Sequence, residues 1–307
     1  MKTKLSQMLR TLFVCCLLIT LSTNAQTKTL EKQTTGSVSS DLLPTTSDVK
    51  IGKLSNGLTY YIQNNGKPED KVELRLAIKA GSILETEDQL GLAHFMEHMN
   101  FNGTTNFKKN ELVDYLQSIG VEFGADLNAY TGFDQTVYIL PIPSDDPEKL
   151  DKGFQILQDW AGNALLTEQD IDDERGVVIE EYRTRLGAAT RMQSKYLDKI
   201  AYKSKYADRL PIGTKENLET FKYESVRNFQ KDWYRPNLMA VIAVGDLDVE
   251  TLEKKIIENF SDLKNPENPK PREEFGSENH EGTFVAIEWD EEATGSQVQI
   301  YYKDKGK

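Results

Sequence analysis

Histidine and cysteine are scarce in this chain, with three of the first and two of the second among 307 residues. Both cysteines, Cys15 and Cys16, fall in a short apolar run at residues 12–21. Lys2, Lys4 and Arg10 lie in or before the start of that run, and Ser22, Thr23, Asn24 and Ala25 follow it with short side chains. A basic start, a brief apolar stretch and small residues are the layout of a secretory signal peptide, expected here over residues 1–25 with cleavage after Ala25. The run is too short to span a bilayer, and no longer one occurs. The mature chain is therefore expected to be secreted or periplasmic, with no membrane span. Without cysteine it has no disulfide and no thiolate metal ligand, so any metal site must be built from His, Asp and Glu.

Positive charge is also in short supply. Lys and Arg number 37 against 49 Asp and Glu, for a formal net charge of −12; loss of the three basic residues in 1–25 would take it to −15. So acidic a chain is unsuited to phosphate-backbone binding, and no nucleic-acid partner is expected. The hydrophobic share of 38% and charged share of 28% are those of a folded globular protein. Residues 26–46, rich in Ser, Thr and Lys, read as a flexible leader.

Past that leader the pattern mixes strands and helices. Asn56-Gly57 between two strand-like runs in residues 49–64 predicts a hairpin. Alternating residues 72–78 and the apolar residues 238–244 predict strands, as does the stretch 121–143, most clearly at 136–142. Helices are expected at 91–99, 107–119, 147–165 and 249–260. Thr167 and Asp170 would cap a long helix running toward Tyr196. A proline-rich linker at 265–271 is followed by two further strand-like runs, 283–289 and 297–302.

Two of the three histidines lie in Gly91-Leu92-Ala93-His94-Phe95-Met96-Glu97-His98-Met99. On a helix, positions i, i+3 and i+4 share a face, so His94 and His98 can aim at one point with Glu97 beside them. Neutral imidazole is a good zinc ligand, zinc lowers the pKa of water toward ~7, and an adjacent carboxylate can take the proton. The same trio also suits a non-catalytic metal site, and His and carboxylate ligands accept manganese, cobalt or iron as well.

The order His-x-x-Glu-His is the inverse of the common zinc-protease motif. Together with Glu174-Arg175-Gly176-Val177-Val178-Ile179-Glu180-Glu181, it resembles the pitrilysin/insulinase family of zinc metallopeptidases, which includes mitochondrial processing peptidase. Asn100-Phe101-Asn102-Gly103-Thr104, Asn128-Ala129-Tyr130-Thr131 with Asp134 and Tyr138, and Trp233-Tyr234-Arg235-Pro236-Asn237 extend the likeness over about residues 46–262. Glu174 and Glu181 are seven residues apart and share a helix face, whereas Glu180 is turned away by about 100°.

The resemblance implies an α+β fold, an antiparallel-rich sheet covered on one side by helices. It further implies one Zn²⁺ held by His94, His98 and Glu181, with Glu97 as general base and Glu174 orienting a histidine. A peptide substrate would add as a strand along Asn128, Ala129 and Tyr130. The implied organisation is a catalytic domain over 47–262, a linker over 263–276 and the start of a second homologous domain over 277–307. Family members close their chamber with a second half, so a companion half supplied by another chain is an expected partner. The alternative reading is a half-enzyme that keeps the metal and binds peptide or a companion without cleaving.

Overall fold

The computed structural model describes residues 48–121 and 128–303. The expected signal peptide and leader lie outside the described residues, as does part of the strand-like stretch that begins at 121.

Among the described residues six strands form one sheet in the order β1-β2-β6-β3-β5-β4. The hairpin forms as expected: β1 (Lys50–Lys53) pairs antiparallel with β2 (Thr59–Asn64), and Gly57 turns the chain at φ +93°. β3 (Lys71–Ile78) lies between β5 (Thr136–Pro143) and β6 (Met239–Gly245), antiparallel to both. β2 and β6 run parallel, and β4 (Asn128–Thr131) closes the order on β5. The alternation seen at 72–78 is a one-sided burial: Val72, Leu74, Leu76 and Ile78 are buried while the residues between them are not. In register with them, Leu74 sits across from Leu140 and Ala243, and Leu76 from Tyr138 and Val241. These rows of aliphatic and aromatic side chains make one apolar face, against which the helices pack.

Among the described residues the α-helices are α1 (Leu92–Met99), α2 (Glu111–Ser118), α3 (Pro147–Gly162), α4 (Glu168–Arg185), α5 (Ala188–Ile200), α6 (Lys215–Thr220), α7 (Tyr223–Trp233) and α8 (Val249–Phe260). α3 lies over β3 and β5, and α1 lies over β4 and β5 with α4 and α7 against it. Four of these eight helices, α3, α4, α6 and α8, start with a side-chain cap, including the one the sequence suggests at Thr167. Thr167 Oγ1 accepts the Asp170 amide at 3.1 Å and Asp248 accepts that of Thr251 at 2.8 Å, each cap worth about 1 kcal/mol.

Three expectations are corrected. α2 starts at Glu111 rather than 107, because Asn110 takes a left-handed φ of +72° that a helix interior does not accommodate. The long helix after Thr167 is two helices: α4 stops at Arg185, and Gly187, in an extended conformation, begins α5. The runs at 283–289 and 297–302 form no strands. Their apolar side chains stand in water, with Ile287 86% and Val298 88% exposed. Neither run meets a sheet edge, and two short strands alone bury too little to order themselves. Residues near 290 are fastened instead by charge, Arg191 donating to both carboxylate oxygens of Asp290 at 2.8 and 2.6 Å.

The start of α1 is fixed by two glycines in contact. Gly91 precedes the helix at φ +92°, and Gly213 passes over it at φ +72°; a Cβ on Gly213 would lie 2.5 Å from Gly91 Cα and 2.6 Å from its nitrogen. Backbone cannot yield as a side chain does. Gly213→Ala is expected to cost about 1–3 kcal/mol and to lower the melting temperature by several degrees in calorimetry. An unchanged melting temperature would show that the crossing relaxes freely.

Candidate metal centre

α1 carries eight residues, Leu92–Met99, of which seven are buried. Leu92, Phe95, Met96 and Met99 fill the core, which leaves His94, Glu97 and His98 on the side facing α4 and β4. Glu85 anchors the first turn: its fully buried carboxylate accepts the Gly91 amide at 3.0 Å and the Ala93 amide at 2.8 Å. Burial pushes the Glu85 pKa up to about 8, against the pull of those two amides. The other end of α1 is tied to α3 by a reciprocal pair, Asn100 Nδ2 to Trp160 O and Trp160 Nε1 to Asn100 O, both 3.0 Å.

The structure brings His94, His98 and Glu181 together across the α1–α4 contact. His94 Nε2 and His98 Nε2 are 3.3 Å apart, and Glu181 Oε2 lies 3.6 Å from the first and 3.2 Å from the second. Zinc ligands at about 2.0–2.1 Å in tetrahedral array lie about 3.3–3.4 Å from one another. These three donors therefore already have the spacing of three corners around one divalent cation, and they are the group of metal-capable side chains found among the described residues.

Glu174, two turns before Glu181, accepts from His98 Nδ1 at 2.8 Å. A carboxylate only accepts, so the His98 proton sits on Nδ1 and leaves Nε2 directed at the cluster. Asn102 holds Glu174 in turn, its Nδ2 reaching Glu174 Oε2 at 2.7 Å and the His98 carbonyl at 3.2 Å. Arg185, one turn beyond Glu181, pairs with Glu181 Oε1 and leaves Oε2 toward the imidazoles.

Charge decides how these groups titrate. Burial and the neighbouring His98 hold the His94 pKa low. For His98, burial opposes the charged form, but hydrogen bonds to Glu174 and Glu181 outweigh it and carry the pKa up to about 9. The hydrogen bond from His98 and the charge of Arg185 hold Glu181 low against its burial. Burial raises Glu97, offset in part by the Thr131 hydroxyl that donates to its Oε2 at 2.5 Å. The acids thus favour positive charge between them, and without metal a proton on His98 is what supplies it.

Asn128, Ala129 and Tyr130 stand on β4, the last strand of the sheet order, hydrogen-bonded to β5 on one side. Asp134 accepts a hydrogen bond from Tyr206 Oη at 2.7 Å. Tyr138 is buried with its hydroxyl 2.8 Å from that of Tyr234. Sequence reasoning placed Thr131 and Asn102 in segments that resemble the family but gave them no role, and it passed over Arg185 and Glu85. Arg185 follows Glu181 by one turn and was open to a spacing argument; the other three reach the site through loops and a strand, where spacing says nothing.

Paired helices that present two imidazoles and a carboxylate from one face of an α+β sheet define a metallopeptidase-type domain. Residues 60–214 match Insulinase (Peptidase family M16) and residues 220–306 match the Peptidase M16 inactive domain, and the chain belongs to that family. It is 40% identical over 253 residues to a zinc protease PQQL-like protein of Arabidopsis thaliana, covering 82% of this chain and 26% of that protein. It is also 40% identical over 219 residues to the probable zinc protease PqqL of Haemophilus influenzae, covering 71% and 24%. The solved first half of the periplasmic protease PqqL from Escherichia coli superposes with a TM-score of 0.72 at 35% identity, covering 76% of this chain and 50% of that one. The chain thus spans about a quarter of the length of the curated relatives it matches.

Removing the Glu174 carboxylate frees the His98 ring and strips its Nδ1 of a charged partner. Glu174→Ala is expected to weaken zinc binding about 10–100-fold in competition against a chromophoric chelator, with helical circular dichroism unchanged. Wild-type affinity in that variant would remove Glu174 from the site.

Proposed function

We propose that this chain carries the catalytic half of a zinc endopeptidase acting on unstructured peptides outside the cytoplasm; the E. coli relative is named a periplasmic protease. The observation that carries the reading is the convergence of His94, His98 and Glu181 at zinc-ligand spacing with Glu97 on the same helix face. His94, His98 and Glu181 are the ligands of one Zn²⁺, and Glu174 orients His98. Zinc held there supplies Lewis acidity and makes water a nucleophile near neutral pH.

Glu97 is the general base. It takes the water's proton and passes it to the leaving amine, and its burial suits the work because a raised pKa brings a carboxylate closer to neutral pH. His94, kept neutral by burial, offers a lone pair instead of a charge. The peptide lies extended along β4, with backbone hydrogen bonds at Asn128, Ala129 and Tyr130 and alternate side chains pointing to opposite sides. That β4 ends the sheet order favours this placement.

A second reading is a half that holds metal and peptide but cleaves only with a companion half. Glu97→Gln separates the two. Under the first reading the variant keeps zinc while hydrolysis of a quenched fluorescent peptide falls about 10²–10⁴-fold, and chelation abolishes wild-type cleavage until zinc is restored. Cleavage that survives Glu97→Gln with zinc bound would remove Glu97 as base. A zinc-loaded wild type that binds peptide without cleaving it supports the half-enzyme.

A further inference from the structure

β4 alternates in the direction of its side chains, as a strand must: Asn128 and Tyr130 are exposed, whereas Ala129 and Thr131 are half-buried and face the helices. The edge that would bind peptide therefore ends in a side chain aimed at the site. Thr131 Oγ1 is 2.5 Å from Glu97 Oε2 and 3.4 Å from Thr136 Oγ1. The proton positions follow from the partners. Thr136 Oγ1 donates to the Ala80 carbonyl at 2.9 Å, so its one hydrogen is committed there. Glu97 as a carboxylate has none to give. The short contact is thus Thr131 donating to Glu97, a charge-assisted bond at a residue that is only 8% exposed.

We propose that Thr131 is a positioning residue that couples the peptide-binding edge to the general base: it fixes the rotamer of Glu97 through the strand on which substrate would lie. The inference rests on the peptidase reading above. Thr131 is held at both ends, by the Thr136 backbone pairing across the β4–β5 ladder and by its hydroxyl on α1, so a displacement of β4 moves the Glu97 carboxylate with it. A peptide that adds to β4 stiffens the strand and holds the base at one place relative to the scissile bond. Misplacing a catalytic group by even an ångström is enough to cost about 100-fold in rate.

Thr131→Val keeps the shape and removes the hydroxyl, and Thr131→Ser keeps the hydroxyl. In the full chain loaded with zinc, Thr131→Val is expected to lower kcat for a quenched peptide about 10–100-fold while KM and zinc content stay near wild type, and Thr131→Ser to recover most of the loss. Full activity in Thr131→Val, or a Thr131→Ser as poor as the valine, would overturn the role. Melting temperatures read the bond without catalysis. The shifts of Thr131→Val and Glu97→Ala should be markedly less than additive in the double variant, and additive shifts would show that no such coupling exists. If wild type does not cleave, the peptidase reading fails on its own, and the melting-temperature cycle still decides whether Thr131 orders Glu97.

Discussion

Three glutamates, Glu97, Glu174 and Glu181, crowd the same side of α1 and α4, and the rest of the site is arranged around the cost of keeping them there. Carboxylates in a half-buried place repel one another and lose hydration, and either effect alone would protonate one or part the helices. The structure separates their environments instead. Glu174 and Glu181 are given donors, His98 and Asn102 for the first and His98 and Arg185 for the second, and both are held below the usual carboxylate range. Glu97 is given burial and one hydroxyl, and is held above it. One chemical type thus acquires two behaviours, held anionic on α4 and shifted toward its protonated form on α1, by environment alone.

That arrangement asks for a rigid mount, and the loops around α1 provide it. Asp159, fully buried on α3, accepts from Thr104 Oγ1 at 2.6 Å, from the Asn106 amide at 3.2 Å and from Asn106 Nδ2 at 2.8 Å. The loop that leaves α1 is therefore bound to α3 through polar atoms as well as through the Asn100–Trp160 pair. Asn102 sits within that loop, so the orientation of Glu174, and through it of His98, depends on the segment that follows α1. Removing water from such a network strengthens each bond, and makes any partner left unpaired expensive.

How much of this was legible in the sequence depends on whether the residues shared a regular element. His94, Glu97 and His98 share a helix face because 3.6 residues make a turn, and Glu174 and Glu181 share one because seven make two; both follow from spacing, and the structure places those side chains face to face. The alternation in β3 and the turn at Asn56-Gly57 were equally plain. What failed was local backbone geometry that tertiary contacts decide. Asn110 in a left-handed conformation shortens α2, and the break at Leu186 and Gly187 divides a helix whose flanks both read as helical. The β-like runs at 283–289 and 297–302 show the limit from the other direction: a pattern specifies which face a strand would bury, and no strand forms where no edge receives it.

The candidate metal ligands and the acid proposed as base are held by different elements. His94, His98, Glu174 and Glu181 belong to the α1–α4 pair and its loop, and nothing in their hydrogen bonding involves β4. Glu97 alone of the acids is bonded to the sheet edge, through Thr131. With the roles proposed above, holding a cation and ordering the base would be separable properties of one domain. Such a domain would keep its metal while its catalytic competence followed the state of β4, and a peptide or companion half that covered that edge would act on the base before it acted on the metal.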